Sequence, residues 1–185
     1  MENLPTIDIV GLPNVAVREA RDRVRSATRN SGYQFPLQRV TVNLAPADLR
    51  KEGSGLDLPI AIGILAATGQ CSSPELVQYV FSCELSLEGT LRPVPGVLTM
   101  AITLKRENSR VEAEEEEEEE EGPVAEPLSL IVPFENLAEA RLVTGLATHS
   151  TFNLEQIVKV IDKQETLKMM LYLGLLHKTH TAESE

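Results

Sequence analysis

The chain has 185 residues and a formal net charge of −11, and 42% of its residues are hydrophobic. That length and composition suit one domain with a buried core, and the acidic balance disfavours a nucleic-acid-binding surface spread over the whole protein. The charge is concentrated, however. Residues 106–126 carry eleven acids and two bases, a net of −9, which leaves only −2 for the rest.

The sequence predicts a cytoplasmic protein. Its two cysteines, Cys71 and Cys83, are too few for a disulfide framework and belong to no metal-binding spacing, so we expect core thiols in a reducing compartment. The N-terminus, MENLPT, is neither basic nor apolar, which argues against a signal peptide. No apolar run approaches the roughly 20 residues of a membrane span.

The first predicted element is a short strand at residues 6–10, followed by the turn GLPN, whose last residue, Asn14, stands where a helix N-cap belongs. From Val15 onward, apolar residues recur at helical spacing, so we expect a helix with one buried face that ends at Asn30, Ser31 and Gly32. The predicted buried positions are Val17, Ala20, Val24 and Ala27.

The run RVTVNLAP predicts a half-buried strand, with Val40, Val42 and Leu44 facing inward. A polar loop follows, and Asp57 then stands where it can cap a helix whose first turn holds Pro59. The body of that helix, IAIGILAA, has no polar face. We therefore expect a central helix that is covered on most sides.

Short elements alternate along the rest of the chain. One strand is predicted within residues 76–87, with a tight turn at Glu88 and Gly89 and a returning partner in TLRPV. Further helices are predicted at 96–104, 136–143 and 154–161, and further strands at 128–132 and 147–150. This order predicts an α+β fold, a mixed sheet with packed helices, rather than a doubly wound sheet.

Two segments depart from this pattern. Residues 107–127 read as a disordered acidic insert, because eight successive glutamates repel one another and cannot pack. The domain is predicted at residues 1–163, and residues 164–185 are predicted to be a C-terminal tail. The tail could begin as an apolar helix and end as a disordered segment. The tail also contains His177 and His180 at a ligand spacing, but two ligands on a terminal tail make a weak metal site.

The loop before the central helix is the first place to look for chemistry. A phosphate-binding loop is excluded there, because no glycine in the chain is followed by lysine. Ser54 lies near Lys51, and a lysine can activate a serine nucleophile. Nothing in the sequence orients the amine toward the hydroxyl, however, and a serine between two glycines is usually a turn residue.

The first helix carries a basic face, made by Arg18, Arg21, Arg25 and Arg29. With Arg23 and two acids, the helix has a net charge of +3, which could contact DNA phosphates or an acidic subunit. The alternative is a solvated helix with weak pairs such as Glu19 with Arg23. Without interleaved aromatic residues for base stacking, we favour the solvated helix.

Residues 9–69, IVGLPNVAVREARDRVRSATRNSGYQFPLQRVTVNLAPADLRKEGSGLDLPIAIGILAATG, closely resemble the N-terminal domain of the Mg-chelatase-like AAA ATPases, the ComM and YifB group. The resemblance continues through ELSLEGTLRPVPGVLTMAI and LSLIVPFENLAEARLV. It implies a fold like that of the Lon protease domain, the ribosomal protein S5 domain 2-like fold.

The resemblance also implies an empty site. In Lon-type proteases the serine nucleophile stands at the position held here by Gly55 within KEGSG, with Ser54 one place early. The position of the Lon lysine corresponds to Met100, after PVPGV. Both halves of a Ser–Lys dyad are therefore expected to be missing.

Three functions remain open. The leading one is a non-catalytic interaction or regulatory domain of a DNA-acting AAA ATPase, whose ATPase module we expect to lie outside this chain. ATP and Mg²⁺ would then bind that module, the partners would be that module and ring-forming subunits, and DNA would be met only through the full assembly. The others are a serine peptidase that uses Ser54 and an accessory subunit of a metal chelatase.

Overall fold

The computed structural model describes residues 6–71, 74–117 and 126–162. The helices are α1 (Val15–Asn30), α2 (Asp57–Ala67), α3 (Val97–Glu117), α4 (Leu137–Ala140) and α5 (Leu154–Ile161). The strands are β1 (Ile7–Val10), β2 (Val40–Asn43), β3 (Tyr79–Phe81), β4 (Glu84–Leu85), β5 (Leu91–Arg92), β6 (Ser129–Pro133) and β7 (Thr148–Thr151). Single 3-10 segments lie at Pro74–Gln78 and Phe134–Asn136.

The strands form three small sheets. β1 pairs with β2 in parallel, with Ile7 opposite Val40. β3, β6 and β7 form a parallel sheet in which β6 is central, and β4 and β5 form the antiparallel hairpin that the sequence predicts. This mixture of parallel and antiparallel strands with packed helices is consistent with the predicted α+β class.

Two apolar clusters form the core. The larger one joins α1, α2 and α5 with the β4–β5 hairpin, around the fully buried Leu58, Leu65, Leu85 and Ile157. The smaller one packs α3 and α4 on β6, around Val97, Leu130 and Val132. Burial of such side chains stabilises the fold by about 1.5–3 kcal/mol each.

Local sequence signals predicted both ends of α1 and α5 correctly. The Oδ1 atom of Asn14 accepts a hydrogen bond from the Val17 N–H at 2.9 Å, as a helix N-cap should. Asn153 caps α5 in the same way through Gln156. All four predicted apolar positions of α1 are buried, so the helical spacing identified the packed face.

Three predicted elements are wrong in extent. The strand expected within residues 76–87 is a 3-10 turn followed by β3 and β4, which belong to different sheets, because Ser82 N–H bonds to Ile131 and Cys83 N–H bonds to Gly55. The helix predicted at 136–143 is only the four residues of α4, after a 3-10 turn. α3 runs to Glu117 rather than ending at Leu104.

The long α3 corrects the expected start of the acidic insert. Residues 107–117 are helical, and Arg110 forms ion pairs with Glu107 at 2.6 Å and Glu114 at 2.5 Å on the same helix. Such pairs at positions i+3 and i+4 offset part of the repulsion between glutamates. The rest of the insert, apart from residues 126 and 127, lies outside the described residues, as does the predicted tail at 164–185 with its two histidines.

Candidate functional site

The loop from Ala45 to Leu56 is tied to the turn that starts α1. Lys51 N–H donates to the Leu12 carbonyl at 3.1 Å, and Asn14 N–H donates to the Lys51 carbonyl at 3.0 Å. Gly11 has φ +99°, and a Cβ atom there would collide with the Leu44 carbonyl. Only glycine fits this approach of the two chain segments, so the turn and the loop hold each other in place.

The amine of Lys51 is engaged within this loop. Its Nζ donates to the carbonyl oxygens of Leu49, at 2.8 Å, and of Pro46. Ser54 uses its carbonyl oxygen to accept a hydrogen bond from Asp57 N–H at 3.3 Å. Within the described residues, the amine of Lys51 donates no hydrogen bond to the hydroxyl of Ser54, so the two side chains do not form a nucleophile–base pair.

The two positions implied for a dyad hold groups without acid–base chemistry. A Cβ atom on Gly55 would lie 3.0 Å from Ser82 Oγ and 4.0 Å from Val94 Cγ1, so a side chain there would be in tight contact with the Ser82 hydroxyl. Met100, near the start of α3, packs against the apolar cluster that contains Val94. Neither position presents a nucleophile or a base.

Asp57 is the charged group at the centre of this region. Its carboxylate accepts two hydrogen bonds from the Arg23 guanidinium, at 2.6 and 3.0 Å, and one from Leu85 N–H at 3.1 Å. The side chain of Asp57 is 1% exposed and that of Arg23 is 20% exposed. The bonds join α1, α2 and the β4–β5 hairpin at a single carboxylate.

This arrangement corrects two predictions. Asp57 does not cap α2: the N-cap position is Leu56, and no side chain bonds to the cap. Arg23 does not form the predicted solvated pair with Glu19, because its guanidinium reaches across to Asp57. The sequence carries one signal of this pairing: Asp57 is the only charge in the run GLDLPIAIGILAA, and a charge so placed requires a partner when it is buried.

Burial opposes the charge of this carboxylate, and its partners support the charge. Desolvation raises the pKa of Asp57 above its ordinary value, while the bonds from Arg23 and Leu85 act against that rise. The hydrogen bond with Asp57 raises the pKa of Arg23. Nearby, burial raises the pKa of the Cys83 thiol well above its usual range, so this cysteine is no nucleophile at neutral pH.

Two buried asparagines each bond through the side-chain amide to the backbone of a residue far away in the sequence. Asn136 Oδ1 accepts from Val94 N–H and its Nδ2 donates to the Val94 carbonyl, both at 3.0 Å. Asn108 makes the same pair of bonds with Leu128, at 3.0 and 2.9 Å. Local sequence windows could not find these bonds, because they span 42 and 20 residues.

The arginines proposed as an interaction face separate into two groups. Arg18, Arg21 and Arg29 are exposed, and Arg25 is half-buried. Arg21 Nε donates to the Arg18 carbonyl at 2.9 Å. Among the described residues, none of these four forms an ion pair, so their charge faces outward from α1.

The chain matches the family model described as subunit ChlI of Mg-chelatase over residues 1–112. It belongs to this family. The match ends where the glutamate run is about to begin. Across the described part of this ChlI-family chain, no three or more His, Cys, Asp or Glu side chains gather as a metal site, and no described helix has the length and apolarity to cross a membrane.

Curated relatives agree with this assignment. The ChlI-family chain is 38% identical to the uncharacterised protein YifB of Salmonella typhimurium over 97% of its own length and 32% of the relative. It is 42% identical to the competence protein ComM of Haemophilus influenzae over 89% of its length and 29% of the relative. Against Escherichia coli YifB, identity is 54% over 54% of the chain and 20% of the relative. The chain thus spans about a third of these proteins or less.

Proposed function

We propose that this chain is a non-catalytic, Lon-like N-terminal module of a Mg-chelatase-like AAA ATPase of the ComM and YifB group. It serves as an interaction or regulatory part of a motor that processes DNA in the cytoplasm. Its fold is of the ribosomal protein S5 domain 2-like type. ATP and Mg²⁺ bind to an ATPase module outside these residues, and ring-forming subunits and DNA meet the module through the full assembly.

The observation that carries this proposal is how the loop before α2 is occupied. The Lys51 amine is engaged by two backbone carbonyls, and Gly55 has no side chain and lies close to the Ser82 hydroxyl. Asp57, the nearby charged side chain, is engaged by Arg23 and by Leu85 N–H. The polar groups therefore support the architecture of the loop rather than a reaction.

A chimera tests the proposal. Residues 6–162 replace the aligned segment of Haemophilus influenzae ComM, and transformation frequency is measured at matched expression. We expect the chimera to restore transformation in part, and equally well with Ser54→Ala, because no reaction at this loop is needed. The matched control carries the aligned segment of Escherichia coli YifB. Failure of the soluble chimera, while this control restores transformation, would overturn the proposal.

The family description favours a second candidate, an accessory subunit of a metal chelatase. The residues described here do not fit a resident Mg²⁺ ion, since they contain no cluster of three or more potential ligands. Isothermal titration of the full chain with MgCl₂ separates the two candidates. We expect no saturable heat, and a saturable site would favour the chelatase subunit.

A further inference from the structure

An apolar groove lies beside β2 and meets the loop discussed above only at Leu56. It has a volume of about 530 Å³. One wall is the continuous run of residues 38–44, and the other is a face of α2 formed by Pro59, Ile60, Gly63, Ile64 and Ala67. Gly63 and Ala67 are exposed even though α2 is otherwise the most buried helix. The groove is therefore where the central helix lacks a cover.

The strand wall of the groove presents unused backbone groups. Val40 and Leu44 N–H groups donate to Thr6 and Val10 on the β1 side. In a parallel ladder the residues of one strand bond alternately to its two sides, so the N–H and C=O groups of Thr41 and Asn43 face the other edge. That edge has no strand partner among the residues described. An open edge beside an apolar wall is the geometry that accepts an added strand.

The chain leaves α5 close to one end of this groove. Ile161, the last residue of α5, packs in the same cluster as Cys71 and Leu65. Asp162 lies against Cys71, where burial first and then Asp162 raise the thiol pKa to about 11. Cys71 N–H in turn bonds to the Leu65 carbonyl, near the end of α2. The described chain thus ends at Asp162, beside the segment that follows α2, and Ala67 and Thr68 at that end of α2 line the groove.

The sequence after Asp162 has the pattern that such an edge requires. In TLKMMLYLGLL, every second residue is apolar, and the positions between them are Thr166, Lys168, Met170, Tyr172, Gly174 and Leu176. The apolar alternate positions are Leu167, Met169, Leu171, Leu173 and Leu175. In a strand, alternate residues share one face. As a strand, this run would therefore offer one wholly apolar face.

We propose that residues 167–175 bind in this groove as a strand added to the open edge of β2. Four residues, 163–166, can span up to about 14 Å to reach it, and nine residues at about 3.3 Å each are longer than the seven that line the edge. Pro36 and Gln38 line the groove beside Thr68, and Leu44 lines it beside Leu56. A segment that enters at the Thr68 end therefore runs parallel to β2, with its apolar face on α2.

Hydrogen exchange of the full chain, followed by NMR, tests this docking. We expect the amides of Thr41 and Asn43 to be protected, and Met169→Glu with Leu171→Glu to speed their exchange by about tenfold or more. The matched control, Lys168→Glu with Tyr172→Glu, alters the opposite face and should leave the protection in place. The Leu130 amide, bonded to Ala147 within the other sheet, reports whether the fold persists.

Gly63→Phe tests the groove itself. A Cβ atom on Gly63 meets nothing within 4 Å, so a larger side chain can fill the space and should release the same two amides. Leu142→Phe, at a 70% exposed position elsewhere, is the control. The proposal would be overturned if the Thr41 and Asn43 amides exchanged equally fast in the native and variant chains. It would also be overturned if Lys168→Glu with Tyr172→Glu, or Leu142→Phe, speeded their exchange as much as the groove variants do. Protection that depends on protein concentration would assign the groove to a second copy and also overturn it.

Discussion

The guanidinium of Arg23 and the carboxylate of Asp57 join two helices through paired hydrogen bonds of 2.6 and 3.0 Å, across 34 residues of sequence. Leu85 N–H adds a third bond to the same carboxylate. Because Asp57 is buried at the first position of α2, this ion pair fixes where the loop before α2 ends. The charge pair therefore fixes the end of the loop, while the backbone bonds of Lys51 hold its middle.

Loss of one partner should be costly. Arg23→Leu leaves the Asp57 carboxylate buried without its cation, and we expect a loss of about 3 kcal/mol in the free energy of unfolding. Urea denaturation followed by circular dichroism measures it. The double variant, Arg23→Leu with Asp57→Leu, should recover part of the loss, because no unpaired charge remains.

The control for this prediction is a surface pair on the same protein. Arg39 and Asp8 are paired at 2.5 Å, with side chains that are 75% and 38% exposed. Arg39→Leu should cost about 1 kcal/mol or less. Equal effects of the Arg23 and Arg39 substitutions would contradict the structural role given to Asp57.

Because of His149, we expect the free energy of unfolding to fall in mild acid. Burial, followed by the charge of Arg141, lowers its pKa below 6.5, and its Nδ1 atom has no hydrogen-bond partner in the described structure. The unfolded chain gains a proton at pH values where the folded chain does not, so the contribution of this neutral histidine is present above about pH 6.5 and is lost as the pH falls further. His149→Phe should flatten the decline of the urea midpoint between about pH 7 and 5. Parallel declines would contradict the assignment.

Local patterns predicted the elements whose contacts are local, and missed those fixed from afar. Asn14 and the spacing of Val17, Ala20, Val24 and Ala27 were sufficient for α1. Asp57 looked like a cap because its partner lies 34 residues earlier. The run at residues 76–87 looked like one strand because the bonds that divide it come from Ile131 and Gly55.

The acidic insert shows the opposite error. A composition argument treated residues 107–127 as uniformly disordered, but glutamate is a good helix former and Arg110 bonds to both Glu107 and Glu114. The helix therefore continues to Glu117. For the candidate site, the sequence singled out the loop, and Gly55 and Met100 remain positions that the resemblance implies for a dyad; the bonds of Lys51 and the closeness of Gly55 to Ser82 depend on how distant segments fold together.

Asn108 should stabilise the contact between α3 and the segment that leads into β6. Its buried amide bonds to both backbone groups of Leu128, so Asn108→Ala leaves a partly buried N–H and C=O unpaired. We expect a loss of about 1–3 kcal/mol in the free energy of unfolding. The control is Ser109→Ala, at an exposed position of the same helix, which should change little. A neutral Asn108→Ala in urea denaturation would contradict the predicted role.

Direct DNA binding by this chain should be weak. The exposed arginines of α1 are unpaired within the described structure, but the chain carries a net charge of −11. We expect a Kd no tighter than about 10⁻⁴ M at physiological salt, because the attraction rests on counterion release. Fluorescence anisotropy with single- and double-stranded DNA measures it. Micromolar binding that Arg21→Glu and Arg25→Glu abolish would instead make this face a functional site.

Replacing both dyad positions should not create a peptidase. Gly55→Ser places a Cβ atom 3.0 Å from Ser82 Oγ, and Met100→Lys puts an amine in an apolar cluster. A dyad also needs an oxyanion site and supporting groups. We expect the double variant to show no turnover of a fluorescent peptide; Ser82→Gly added to it controls for the steric contact. Turnover by the double variant would contradict this expectation.

Whether the loop before α2 performs any chemistry is measured most directly by a covalent serine probe. The full chain is incubated with a fluorophosphonate probe and, separately, with labelled casein, beside its Ser54→Ala variant and a Lon-type protease as the positive control. We predict no labelling and no cleavage by either form of the chain. Labelling or casein cleavage that disappears in Ser54→Ala would contradict the account and favour a serine peptidase.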